Sequence, residues 1–205
     1  MNASVSVVAP VYNNSSSIEE LVRRVLAVFD DVGLDGEFVL VDDGSADESW
    51  ALISAAQAAD PRVVGVRLSR NFGQHPAIAA GFEHARGDHI VLMDADLQDV
   101  PEEIPRLLQP FDDDPDVDVV FTTFVARDGQ VRERWTSRVF HRVFSAMAGL
   151  DLPRNLGTFR ALTADYRDAV LSYPEYSAVY GPLMAQMGFS QAWVEVPRDA
   201  SSRGE

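Results

Sequence analysis

Short apolar runs recur along this chain, each separated from the next by a stretch long enough for a helix. The runs are Val5–Ala9, Phe38–Val41, Val63–Leu68, Ile90–Met93 and Val117–Val125. Runs of this length and near-continuous apolarity suit strands buried on both faces. Several of them end abruptly in polar residues. The sharpest case is Ile90-Val91-Leu92-Met93, which leads directly into Asp94-Ala95-Asp96. If the extended backbone continued, alternation would send Asp94 and Asp96 to the same side. Two carboxylates so placed repel unless a cation lies between them, and hard oxygen donors suit Mg²⁺ or Mn²⁺, ions that also bind diphosphates.

The intervening stretches read as helices. Ile18, Leu21, Val22, Val25, Leu26 and Phe29 recur at helical spacing and end near Gly33. Ser17 followed by Glu20 predicts a capping box at the start of that helix. Further helices are expected over about Asp47–Ala59, over Pro76–Ala85 with proline in the first turn, from Pro101 onward, and over Arg132–Leu150. Alternating strands and helices joined by short loops predict an α/β fold, a mostly parallel central sheet with helices on both faces. Ligands of such sheets bind at the carboxyl ends of the strands. Tyr12-Asn13-Asn14, Asp42-Asp43-Gly44-Ser45, Asn71 and Asp94-Ala95-Asp96 all fall there.

Composition narrows the chemistry. The 205 residues suit one domain, with no internal repeat or linker. There is no cysteine, which excludes thiolate catalysis and zinc–thiolate sites. The formal net charge of −15 argues against nucleic-acid binding. No lysine is present, so neither a P-loop nor a lysine-dependent phosphoryl site of the response-regulator kind can form. No apolar run is long enough to span a bilayer, and no signal peptide is expected at the start.

The acidic clusters match the needs of nucleotide recognition. Asp42 and Asp43 can accept from a base N–H and from ribose hydroxyls, while Asp-Gly-Ser equally favours a turn and a helix cap. Both can hold at once, Asp43 serving structure and Asp42 binding. Asp94 and Asp96 are the metal candidates, and Gln98 can add an oxygen or contact the ribose. His75, beside the Asn71-Phe72-Gly73 loop, is the histidine closest to these clusters.

Val8-Ala9-Pro10-Val11-Tyr12-Asn13, Val41-Asp42-Asp43-Gly44-Ser45, Ser69-Arg70-Asn71-Phe72-Gly73 and Met93-Asp94-Ala95-Asp96-Leu97-Gln98-Asp99 together resemble family 2 glycosyltransferases. Within that family they are most similar to the polyprenyl-phosphate branch. The resemblance covers essentially the whole chain and implies a Rossmann-like GT-A fold over residues 1–205. It also implies inverting transfer of a sugar from a UDP- or GDP-sugar to a polyprenyl phosphate. By position, Pro10, Tyr12, Asp42 and Asp43 would hold the nucleoside, and Asp94, Asp96 and Gln98 the metal and diphosphate. Asn14 stands where relatives often carry Glu, and Asn71 lies in the third motif.

Arg127, Arg132, Arg134, Arg138 and Arg142 gather around one helix start in this acidic chain, pointing to an anionic partner. Arg127 and Arg138 are the candidates for an acceptor phosphate, with Arg134 beside them. The segment Asn155-Leu156-Gly157-Thr158-Phe159-Arg160 aligns with Asp-x-Gly-Asp-Phe-Arg in relatives, so both acids are replaced. Thr158 therefore occupies the position of a presumed catalytic acid. A phosphate monoester has a second pKa of roughly 6 and is already largely anionic at neutral pH. Such an acceptor needs no base, whereas a hydroxyl acceptor would. Two other readings remain open: transfer to a soluble or polysaccharide hydroxyl, and a nucleotide-sugar binding module without turnover. The resemblance further implies action at the cytoplasmic face of a membrane, self-association into a homo-oligomer, and truncation before C-terminal helices or membrane spans.

Overall fold

The computed structural model describes residues 3–124, 156–172 and 188–197. Seven strands form one sheet: β1 (Val5–Val11), β2 (Gly36–Asp42), β3 (Val63–Arg67), β4 (His89–Leu92), β5 (Val119–Phe124), β6 (Leu156–Thr163) and β7 (Gln191–Val196). Their order is β3-β2-β1-β4-β6-β5-β7. β1 is parallel to β2 and β4, and β2 to β3. β6 runs antiparallel to both β4 and β5, and β7 returns parallel to β5. The mostly parallel sheet is as expected; the reversed β6 lies in a segment to which no strand had been assigned.

The helices are α1 (Ser15–Val32), α2 (Ser49–Ala59), α3 (Gln74–His84), α4 (Ile104–Asp113) and α5 (Ala164–Leu171), with a 3₁₀ turn at Pro101–Glu103 leading into α4. Strand alternation divides the core in two. Val5, Val7, Ala9 and Val11 of β1, with Val91 and Met93, pack against α1, α2 and α4. Val8, Ile90 and Leu92 face the opposite way, with Ala77, Ile78 and Phe82 of α3 and Tyr166 and Val170 of α5. Burial on both faces is why these strands read as continuous apolar runs. The approach of α3 to β1 is close: a Cβ on Gly81 would lie 2.4 Å from Val8 Cγ1.

The start of α1 departs from the capping-box expectation. The helix begins at Ser15, and Ser17 lies inside its first turn. The Ser15 N–H is taken by Asp47 Oδ2 at 3.0 Å and the Asn14 N–H by Ser49 Oγ at 3.1 Å. Asn13 adds a bond in each direction, its N–H to Ser45 Oγ and its Oδ1 from the Ala46 N–H. A neighbouring loop thus supplies the partners that a local cap would have offered. Gly33 ends the helix in the left-handed conformation, as expected. The helix expected over Arg132–Leu150 lies outside the described residues.

Candidate functional site

The carboxyl ends of β1, β2 and β4 lie side by side, and each hands over to a loop tied to its neighbours. After β1, the loop 12–15 is stitched to the loop 45–49 by the bonds above. This leaves the Tyr12 ring 52% exposed at the sheet end. After β2, Asp42 and Asp43 diverge. Asp43, only 2% exposed, accepts the Phe72 N–H on Oδ1 at 2.7 Å and the Gly73 N–H on Oδ2 at 2.8 Å. Asp42 is fully buried. Its Oδ1 accepts the Ser45 N–H at 3.1 Å, and the Arg67 Nε lies 3.4 Å from Oδ2. Arg67 in turn sits over the Trp50 ring, and Arg70 over that of Phe72.

Pro10, Tyr12, Asp43 and Asn71, all singled out from the sequence, line one cavity of about 240 Å³. Val11, Gly73, Gln74 and Ala77 complete its wall. Asp42 is not among them. A wall mixing a half-exposed aromatic ring with amides and a carboxylate suits a planar polar group such as a nucleoside base. Beside it, Gly44, Ser45, Arg67, Leu68, Ser69 and Arg70 border a second, more polar hollow of about 430 Å³.

The strand leading to Asp94 ends sooner than alternation assumes. β4 stops at Leu92, and Ala95-Asp96 form a turn. Asp94 and Asp96 are half-buried and Ala95 between them is buried, so the burial alternates although the backbone bends. The turn is held from several sides. Asp94 N–H donates to Asp99 Oδ2 at 2.8 Å, and Gln98 N–H to Asp96 Oδ1 at 3.0 Å. The Ala95 carbonyl accepts from Asn14 Nδ2 and Ser17 Oγ, both at 2.7 Å. Asn14 therefore meets this turn by bracing its backbone. Leu97 takes a left-handed φ of 62°, an unusual conformation for a branched side chain that functional turns tolerate.

Gln74 joins the two regions. It lines the cavity, and its Nε2 donates to Asp94 Oδ1 at 3.1 Å. Sequence reading passed over Gln74 and Asp99, although Asp99 closes one of the quoted motifs and Gln74 directly follows another. Arg160 was missed as well; an Arg inside the apolar run Phe159-Arg160-Ala161-Leu162 is the signal that pointed to it. Thr158 is half-buried on β6, its carbonyl accepting from Arg160 Nε at 2.9 Å. His75, at the start of α3, is held below the ordinary imidazole pKa by burial and then by the charge of Arg160. Arg127, Arg134, Arg138 and Asn155 lie outside the described residues.

Asp94 and Asp96 are the hard-oxygen donors at this strand end. Among the described residues no three His, Asp or Glu side chains gather to hold a metal by themselves. Mg²⁺ is commonly held by one or two carboxylates while substrate phosphates and water complete its octahedron. The donor set therefore fits Mg²⁺ or Mn²⁺ taken up together with a diphosphate.

Residues 6–171 match the family described as Glycosyl transferase family 2. Undecaprenyl-phosphate 4-deoxy-4-formamido-L-arabinose transferase of Edwardsiella ictaluri is 39% identical over 197 residues, covering 94% of this chain and 58% of the relative. The protein of the same name from an Enterobacter species is 41% identical over 198 residues, with the same coverage. The chain thus spans less than two thirds of the length of these relatives. Glucosyl-3-phosphoglycerate synthase from Mycobacterium tuberculosis, solved with Mn²⁺, UDP and phosphoglyceric acid, superposes with a TM-score of 0.70 at 21% identity. That match covers 99% of this chain and 72% of the synthase, and the shared architecture is the GT-A fold. The chain belongs to glycosyl transferase family 2.

Proposed function

We propose that this chain is the catalytic domain of an inverting glycosyltransferase that moves a sugar from a nucleotide diphosphate to a polyprenyl phosphate. The observation that carries the reading is Gln74, which lines the cavity of Pro10, Tyr12, Asp43 and Asn71 while donating to Asp94. One side chain thereby spans from a base-sized hollow to the acidic turn, the span a nucleoside diphosphate needs. Pro10, Tyr12 and Asn71 would hold the nucleoside, with Asp43 shaping the loop beneath it. Asp42, buried, would reach a base N–H only through Oδ2, in competition with Arg67.

Asp94 and Asp96, with Gln98 beside them, would hold Mg²⁺ or Mn²⁺, which when bound offsets the charge of the departing diphosphate. The protein's own part is to keep the turn rigid through Asp99, Asn14 and Ser17, so that little reorganisation is needed on reaction. Thr158 offers no general base, which fits an acceptor that is already anionic. Arg127 and Arg138, with Arg134, are the side chains proposed to meet that phosphate. The names of the relatives make undecaprenyl phosphate the first acceptor to try and a formamido-arabinose the first sugar. Such an acceptor places the reaction at a membrane face; no helix among the described residues is long and apolar enough to cross one.

The test is transfer from UDP- and GDP-sugars, with Mg²⁺ or Mn²⁺, to a short polyprenyl phosphate. Product on the lipid that disappears in Asp96→Ala supports the reading. Product only on hydroxyl acceptors moves the enzyme to another acceptor class. Donor binding without transfer, in a form extended to the relatives' length, leaves a binding module. No donor binding overturns the proposal.

A further inference from the structure

One carboxylate oxygen at the carboxyl end of β2 is buried without a hydrogen bond. Asp42 is fully buried, and its Oδ1 accepts the Ser45 N–H at 3.1 Å. Its Oδ2 has no hydrogen-bond partner. A charged oxygen in that state is costly, and native structures keep few such atoms. The Arg67 Nε lies 3.4 Å away, near enough to offset the charge and too far for a good hydrogen bond.

The ladder sets Asp42 between the two hollows. Val11, Asp42 and Arg67 stand in one row across β1, β2 and β3. Val11 lines the nucleoside-sized cavity, and Arg67 borders the more polar hollow beside it. Paired residues project from the same face of a sheet, which brings the Asp42 and Arg67 side chains together. The Arg67 side chain is about half exposed, and its guanidinium carbon sits 5.4 Å from the centre of the Trp50 ring. Ring and carboxylate hold it at the rim, yet a long, half-exposed side chain is free to turn aside.

With Oδ1 already taken, Oδ2 has room for one N–H. Uracil and guanine each carry a ring N–H directly beside a carbonyl. If that N–H takes Oδ2, the displaced guanidinium meets the neighbouring carbonyl, an acceptor that suits its donors. Cytosine and adenine would bring the lone pair of a ring nitrogen against the carboxylate instead.

We propose that Arg67 reads the base of the donor. It turns from Asp42 to the base carbonyl as the ring N–H takes Oδ2, so the pair selects uracil or guanine over cytosine and adenine. The inference rests on the nucleotide-diphosphate reading above and adds what chooses the base.

The test is calorimetry of UDP, GDP, CDP and ADP, with Mg²⁺ present, on wild type and Arg67→Gln. Thermal unfolding shows whether the variant is folded. Wild type is expected to bind UDP or GDP at least about tenfold more tightly than CDP or ADP. Arg67→Gln is expected to bind the preferred nucleotide about tenfold more weakly, with CDP and ADP unchanged. A selective loss marks a lost base contact, because a merely loosened site would weaken all four alike. A second measurement needs no variant: the preferred nucleotide with sulfur in place of that carbonyl oxygen, 4-thio-UDP or 6-thio-GDP. Sulfur is the weaker acceptor, so wild type should bind the thio form about fivefold more weakly than its parent. Arg67→Gln should bind the two alike.

A wild type that binds all four nucleotides alike, or prefers CDP or ADP, overturns the proposal while leaving the nucleotide reading in place. So does a folded Arg67→Gln whose losses are uniform or absent. If Arg67→Gln does not fold, the thio nucleotide decides on the wild type: weaker binding supports the proposal and equal binding overturns it. Should the wild type bind none of the four, the nucleotide reading itself falls and takes this inference with it.

Discussion

The Asp43 carboxylate accepts the Gly73 N–H at 2.8 Å with one oxygen while the other holds the neighbouring Phe72 N–H at 2.7 Å. The acid that follows β2 thus fastens the loop that follows β3, and that loop forms one wall of the nucleoside-sized cavity. Both acceptors are lost in Asp43→Ala, leaving two amides short of partners. The expected cost is about 1–3 kcal/mol of stability, read from denaturant melts, with a parallel loss of donor affinity by calorimetry. Asp43→Asn keeps one acceptor and should fall between the two. Unchanged melts and affinity in Asp43→Ala would remove the loop from the account.

Asp96→Asn separates charge from fold. Its amide oxygen can still accept the Gln98 N–H that Asp96 Oδ1 accepts now, so the turn is kept while the negative charge goes. Transfer should drop by about a hundredfold or more, with stability unchanged within ~0.5 kcal/mol. A variant with near wild-type turnover would show that the charge at position 96 is dispensable.

Gly44 and Gly73 both have positive φ, at 69° and 99°, but only Gly44 is also crowded. A Cβ there would lie 2.4 Å from the Arg70 carbonyl carbon, whereas at Gly73 nothing lies within 4 Å. Gly73→Ala should cost about 1–3 kcal/mol from backbone strain alone, because its ψ of 165° puts it in a region that only glycine readily adopts. Gly44→Ala must also push the loop at Arg70-Asn71 away, so it should cost more and weaken donor binding. Equal melts for the two variants would contradict this distinction.

Asp47 links the starts of two helices, Oδ2 to the Ser15 N–H and Oδ1 to the Ser49 N–H, each at 3.0 Å. Hydrogen bonding with Ser49, more than with Ser15, lowers its pKa from 3.8 to about 2. The folded state therefore releases this proton more readily than the unfolded state. The resulting stability is complete above pH 3.8 and is lost as the pH falls toward about 2. Asp47→Ala should cost about 0.5–1 kcal/mol at neutral pH, the low end for a cap because the group is exposed and screened. Urea melts of both proteins from pH 7 downward should converge across that window. A difference that stayed constant to pH 2 would place its origin outside this carboxylate.

Much of the architecture could be read from the chain alone, because burial on both faces leaves a near-continuous apolar run for each of β1, β2, β3 and β4. The ends of the runs, with Tyr12, Asp43, Asn71 and Asp94 beyond them, marked the side of the sheet on which the cavity lies. Ser17 shows where local reading fails. Its spacing to Glu20 signals a cap, yet its hydroxyl is spent on the Ala95 carbonyl, 78 residues away. No window of sequence contains that partner. Asp94 and Asp96 likewise alternate in burial as an extended strand would, although the turn at Ala95-Asp96 is fixed by Asp99, Asn14 and Ser17 rather than by strand geometry.

What the sequence by itself determined was composition and local pattern: the strands β1 to β5, which faces are apolar, and which acids stand at strand ends. These depend on side-chain type and period, which short stretches carry. The tertiary structure decided the division of labour among those acids. Asp42 and Asp43 are adjacent and chemically alike, yet one is sealed against Ser45 and Arg67 while the other clamps Phe72 and Gly73. The structure also paired Arg160 with Leu92, just before the acidic turn, since β6 runs antiparallel against β4 although the two are far apart in sequence. Pairings of this kind are set by how distant segments pack, and packing is a property of the assembled sheet rather than of any one stretch.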